Sequence, residues 1–184
     1  MKDQPIFIIG FTGVGKTTIG RRLAKELGWE FVDTDEYLQL KYHATVSDMI
    51  GCCGIDKFRK RERVILIELA QRRRHVIATG GGVGAKAENL ELMKQKGIII
   101  YLEASPRTLA ERLALVKESR PAVQGKDFAG VEQYVQATLP QRLPYYQQAD
   151  ITISAEQMVT SEDEERIVAD LIRQLRREYS ADTL

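Results

Sequence analysis

Eight residues near the N-terminus, Gly10-Phe11-Thr12-Gly13-Val14-Gly15-Lys16-Thr17, match G-x-x-x-x-G-K-[ST], a spacing that serves phosphate chemistry. The glycines let the backbone turn sharply and come close to a ligand. Unpaired N–H groups at the start of a following helix, together with its dipole, favour an anion there. Lys16 is placed to reach β- and γ-phosphates, and the Thr17 hydroxyl to hold Mg²⁺. Asp33 and Asp35 lie two apart in Asp33-Thr34-Asp35, so in extended chain they point the same way. One carboxylate suits Mg²⁺, and the other suits orienting or deprotonating an attacking hydroxyl. The competing reading is turn or cap chemistry, with Asp35 capping the next helix. Further on come Phe58-Arg59 with Glu62 on one helical face, the triglycine Gly80-Gly81-Gly82, and the basic series Arg107, Arg112, Lys117 and Arg120. Arg142 sits late in the chain.

These groups need elements that converge them. Ile6-Phe7-Ile8-Ile9 is an apolar, β-branched run and predicts a buried parallel strand. Residues 18–27 predict a helix with Ile19, Leu23 and Leu27 on one face, stopped at Gly28. Strands are expected at Trp29-Glu30-Phe31-Val32, His75-Val76-Ile77-Ala78, Ile98-Ile99-Ile100-Tyr101-Leu102 and Ile151-Thr152-Ile153. Between them lie helical stretches: residues 36–72, broken near Gly51-Cys52-Cys53-Gly54, then 86–96, a helix from Pro106 capped by Ser105, 130–149 and 162–179. Pro140 and Pro144 predict a kink or break in 130–149. The triglycine reads either as a place of close approach or as a left-handed turn. The stretch Arg120-Pro121-Ala122-Val123-Gln124-Gly125-Lys126 combines proline, glycine and basic charge, as suits a lid over phosphate. Alternation of strand and helix predicts an α/β domain with a parallel sheet, where ligands gather at the strands' C-terminal ends.

The chain has 184 residues, 43% apolar and 29% charged, which suits one globular domain. A net charge of +1 implies no general affinity for polyanions, so phosphate recognition has to be local. Met1-Lys2-Asp3-Gln4-Pro5 leads into too few apolar residues for a signal peptide or membrane span. Cys52 and Cys53 are neighbours with no further cysteine to pair with, which points to a reduced, cytoplasmic protein; they make a poor metal site.

The ordered set of residues 10–17, Asp33-Thr34-Asp35, Phe58-Arg59 with Glu62, Gly80-Gly81-Gly82, Arg120-Pro121 and Arg142-Leu143-Pro144-Tyr145-Tyr146 resembles shikimate kinase over nearly the whole chain. The resemblance implies a three-layer α/β/α P-loop kinase with a five-stranded parallel sheet in the order 2-3-1-4-5. It implies one domain over residues 1–184, with a substrate-binding helical insertion at 36–74 and a lid at 114–126. The activity implied is ATP-dependent phosphorylation of the 3-hydroxyl of shikimate, in chorismate and aromatic amino-acid synthesis, with Mg²⁺ as cofactor. ATP would meet Gly13, Val14, Gly15, Lys16, Thr17, Thr18, Arg112 and Arg120, with Arg112 stacked on adenine. Shikimate would meet Asp35, Arg59, Gly81, Gly82 and Arg142, the two arginines gripping its carboxylate. Thr17 and Asp33 would serve Mg²⁺, and Lys16, Asp35 and Arg120 would act in catalysis. The partners expected are ATP and shikimate, with no nucleic acid or membrane, for a monomeric chain. The family's lid commonly runs Arg-Pro-Leu-Leu, whereas this one reads Arg120-Pro121-Ala122-Val123. An acidic residue commonly follows the glycine before Phe-Arg, and here Ile55 follows Gly54. Residues 154–161 match no adenine loop, so adenine contacts there are unassigned.

A GTPase would need Asn-Lys-x-Asp, and the chain's one asparagine, Asn89, precedes Leu90. A motor ATPase would end an interior strand in acids, where this chain has glycines. A kinase for another polyol acid such as gluconate remains a rival, as does a non-catalytic nucleotide-binding regulator.

Overall fold

The computed structural model describes residues 3–179, apart from the Ser119 side chain. Met1 and Lys2, part of the N-terminal reading above, lie outside the described residues. Five strands form one parallel sheet in the order β2-β3-β1-β4-β5. They are β1 (Ile6–Ile9), β2 (Glu30–Asp33), β3 (His75–Ala78), β4 (Ile98–Glu103) and β5 (Ile151–Ser154). Central β1 is fully buried on both faces, which is why its sequence is continuously apolar. Edge strand β5 alternates, with Ile151 and Ile153 buried and Thr152 and Ser154 exposed.

The helices are α1 (Lys16–Leu27), α2 (Thr34–Tyr42), α3 (Val46–Leu69), α4 (Ala87–Lys96), α5 (Pro106–Leu115), α6 (Phe128–Tyr146) and α7 (Ser161–Tyr179). Neighbouring side chains of a strand face opposite ways. A Cβ placed on Gly20 of α1 would lie 3.4 Å from Ile8, and one on Gly84 would lie 2.9 Å from Ile9. So α1, which packs on α7, covers one face, and the 83–85 turn with α6 covers the other. This is the three-layer arrangement expected from the sequence.

Two local expectations change. Helix α6 runs unbroken through Pro140 and Pro144. The prolines are one turn apart and both exposed, so water can satisfy the carbonyls their missing N–H groups leave free. The break expected near Gly51-Cys52-Cys53-Gly54 is present: Gly54, at φ 77° and ψ 162°, divides α3. The second part of α3 ends at Leu69, short of the expected end at residue 72. No helix among the described residues is long and apolar enough to cross a membrane.

Candidate active site

The C-terminal ends of β1, β2 and β3 open onto one rim, and every sequence-predicted site residue lies on or near it. After β1 the chain turns through Gly10, Gly13 and Gly15, all at positive φ (145°, 86° and 105°). A Cβ on Gly10 would stand 2.6 Å from the Leu102 carbonyl oxygen, so the turn tolerates only glycine there. Gly15 caps α1 with no side-chain acceptor, leaving the first N–H groups of the helix for a ligand. Lys16, only 8% exposed, donates to the carbonyls of Gly10 (2.9 Å) and Phe11 (2.8 Å). Burial lowers its pKa to about 8, against the opposing pull of Asp35 and Asp33. A cavity of about 170 Å³ beside it is lined by Gly13, Gly15, Lys16, Thr17, Thr18 and Arg112, among others. The Val14 side chain is fully buried, so only its backbone is available to a ligand.

The Thr17 hydroxyl donates to Asp33 Oδ2 at 2.6 Å. Asp33 Oδ1 accepts from the backbone N–H groups of Asp35 (2.9 Å) and Glu36 (3.3 Å). The cap of α2 is therefore Asp33, and the competing reading of Asp35 as the cap is set aside. Nor do the two carboxylates share one extended segment: Asp33 ends β2, while Asp35 sits in the first turn of α2. The helix begins at Thr34, two residues before the expected start at 36, which frees Asp35 to face the cavity. Thr17 and Asp33 together offer hard oxygen donors at the α1 N-terminus, a donor set that fits a Mg²⁺ ion sharing its remaining positions with water and phosphate.

A second cavity, about 280 Å³, adjoins the first and shares Thr12, Asp35, Gly81 and Arg120 with it. Burial and the nearby Asp33 charge raise the Asp35 pKa, while Arg120, Lys16 and Arg59 act to lower it. Arg120 Nη1 stands 3.6 Å from Asp35 Oδ2, and its buried Nε has no protein partner among the described residues. Arg120 is followed by turns whose bonds return to it, Val123 and Gln124 N–H both donating to its carbonyl at 3.0 Å. Val123 is fully buried, so the shorter lid residue still anchors the segment.

Arg59 enters from α3 beside buried Phe58. Its Nη1 pairs with Glu62 Oε2 at 2.5 Å. Burial raises the Glu62 pKa to about 7 although Arg59 opposes it. Arg142 comes from α6, where Val131, Val135, Leu139 and Tyr146 mark the buried stripe that it continues. It donates to the Gly81 carbonyl at 2.9 Å.

The triglycine is the wall between these groups. None of the three glycines has positive φ, so the left-handed-turn reading gives way to close approach. A Cβ on Gly80 would meet Asp35 Oδ1 at 2.6 Å, on Gly81 Thr12 Oγ1 at 2.3 Å, and on Gly82 Arg59 Nη1 at 2.7 Å.

Sequence reading missed several participants. Tyr146 donates to the Gly81 carbonyl at 2.6 Å and Tyr134 lines the second cavity. Their spacing of four and eight from Arg142 on one helix was the available signal. The unassigned segment after β5 returns to the phosphate loop. Arg112 donates to the carbonyls of Glu156 and Met158, both at 3.0 Å, and to Val14 at 3.5 Å. The Glu156 carboxylate accepts from the backbone N–H and hydroxyl of Ser105 at the start of α5, and the Met158 methyl would lie 2.1 Å from a Cβ on Gly15. Such long-range contacts leave no periodicity in the sequence.

Residues 12–176 match the family model described as shikimate kinase. The shikimate kinase of Parabacteroides distasonis is 39% identical over 86% of this chain and 91% of its own. The solved shikimate kinase from Bacteroides thetaiotaomicron superposes with a TM-score of 0.89 at 34% identity, over 94% of this chain and 98% of that one. The shikimate kinase from Acinetobacter baumannii, solved in complex with shikimate, gives 0.84 at 34% identity over 96% and 95%.

Proposed function

The chain belongs to the shikimate kinase family, and from that premise we propose how its residues divide the transfer of the ATP γ-phosphoryl group to the 3-hydroxyl of shikimate. The observation that carries the reading is the meeting of Arg59, Arg142 and Asp35 in one cavity that shares a wall with the phosphate loop. Two guanidiniums suit one carboxylate, and the half-buried Asp35 carboxylate beyond them suits ring hydroxyls.

Lys16 leaves the Gly10 and Phe11 carbonyls for the phosphates, and Gly13, Val14, Gly15, Thr17 and Thr18 offer backbone or hydroxyl donors there. Arg112 supports the base-binding side together with the loop carrying Met158. Thr17 and Asp33 would hold Mg²⁺, which would neutralise phosphate charge when bound. Gly81 and Gly82 keep the acid close to the loop. Asp35 bonds the acceptor hydroxyl, and its raised pKa suits a group that receives a proton late in a loose transition state. Arg120, with its Nε unpartnered, faces the transferring group and stabilises its charge. Residues 36–74 act as the substrate lobe and 114–126 as the lid, within one domain spanning the chain. The free thiols of Cys52 and Cys53 are in keeping with a cytoplasmic setting.

Arg142→Ala tests the acid grip. The expected outcome is a shikimate KM raised on the order of tenfold to a hundredfold with the ATP KM within about twofold, the size of a lost charged hydrogen bond. Equal rises in both constants would place Arg142 elsewhere.

A further inference from the structure

Two of the arginines lining the acid cavity, Arg59 and Arg142, lie over aromatic faces, and one of those faces belongs to the phosphate loop. Arg59 stands 5.6 Å from the centroid of Phe58 and has Glu62 as an ion-pair partner. Arg142 stands 5.0 Å from the centroid of Phe11. Among the described residues no carboxylate forms an ion pair with Arg142, although the Glu62 charge is near enough to be felt; its bonds go to the Gly81 carbonyl, to the Tyr146 hydroxyl and, at 3.4 Å, to the Tyr134 hydroxyl. Among the described residues the Phe11 ring is thus the aromatic face beneath a guanidinium whose hydrogen bonds go to neutral acceptors. Phe11 is 1% exposed and lines neither cavity, so it touches neither substrate. Tyr134 braces the ring, centroids 6.1 Å apart and planes at 53°. The phosphate-loop pattern leaves this position open, so phosphate chemistry does not ask for an aromatic there.

We propose that Phe11 is a positioning residue for the acid substrate: its ring face orients the Arg142 guanidinium so that the planar N–H fork meets the carboxylate. The proposal rests on the reading of Arg142 as a carboxylate ligand. A guanidinium is weakly hydrated and stacks well, so a desolvated aromatic seat changes affinity by roughly threefold to thirtyfold. Through Phe11 one short loop then serves both substrates, its backbone facing the phosphates and its ring supporting the acid.

The test is steady-state KM for shikimate and for ATP in the wild-type protein, Phe11→Leu, Arg142→Ala, the double variant, and protein carrying pentafluorophenylalanine at position 11. That analogue keeps the ring's shape while reversing the sign of its face. Phe11→Leu is expected to raise the shikimate KM about tenfold, with the ATP KM and kcat within about twofold. The fluorinated ring is expected to do the same. The double variant is expected to be no worse than Arg142→Ala, because one interaction is lost in either. An unchanged shikimate KM in Phe11→Leu, with Arg142→Ala impaired, overturns the proposal and leaves the carboxylate reading intact. An Arg142→Ala protein with normal shikimate KM overturns both. An effect in Phe11→Leu that the fluorinated ring does not share assigns the role to space filling and overturns the proposal, as does a matched rise in the ATP KM. Should Phe11→Leu fail to fold, the fluorinated ring decides alone.

Discussion

Lys16 is the residue on which the phosphate chemistry turns, and its burial makes it pH-sensitive. In the free protein its pKa is about 8, well below the usual 10.5, because burial disfavours the ammonium. Bound phosphates favour the charged form, so above pH 8 ATP binding has to take up a proton. The ATP KM is therefore expected to rise with pH above about 8, approaching tenfold per pH unit, and a KM constant from pH 7 to 9.5 would contradict it. Lys16→Ala is expected to lower turnover on the order of 10²–10³, as for loss of one charge-stabilising donor. At this scale the sequence was most informative where a motif fixes both residue type and spacing, as for Lys16 and Thr17. The competing cap reading of Asp35 failed because capping by Asp33 depends on where β2 stops, and a boundary shift of two residues reverses which carboxylate caps and which faces the cavity.

At the scale of elements, the site depends on loops being able to touch. Gly81→Ala would set a methyl 2.3 Å from Thr12 Oγ1 and 3.0 Å from the Thr12 backbone nitrogen. The backbone contact cannot swing away, so the phosphate loop and β3 end must separate. At 3.0 Å the backbone has to give by a few tenths of an ångström, and a loss of kcat/KM of up to about 10² is expected, the cost of a displacement of about 1 Å, measured beside Gly51→Ala as control. Gly51 lies in α3 with nothing within 4 Å of an added Cβ, so that variant is expected to gain about 0.5–1 kcal/mol in stability. Near-normal activity in Gly81→Ala would remove close approach as the reason for the triglycine. Strand and helix identity was legible from periodicity, β1 and β3 to the residue. The continuity of α6 was not, because a proline's effect depends on whether its orphaned carbonyl reaches water, which is a tertiary fact.

Across the whole molecule, strand order and family were legible because the motifs occur in a fixed sequence along an alternating α/β chain. The protonation balance of the interior was not, since it depends on burial. Glu62, 6% exposed, has its pKa raised to about 7 by burial. The folded state thus holds that proton more tightly than the unfolded chain. The stability contributed is fully present below about pH 4.5, the unfolded value, and is lost as pH rises through 7. Glu62→Gln is expected to flatten the fall in Tm between pH 5 and 8, and an equally steep fall would assign it to other groups. The central claim, that these residues phosphorylate shikimate, is tested most directly by ADP release from Mg·ATP with shikimate, and with gluconate as the control. Shikimate-dependent release with none on gluconate is the predicted result. Release with gluconate alone, or ATP binding without turnover on either acid, would contradict it.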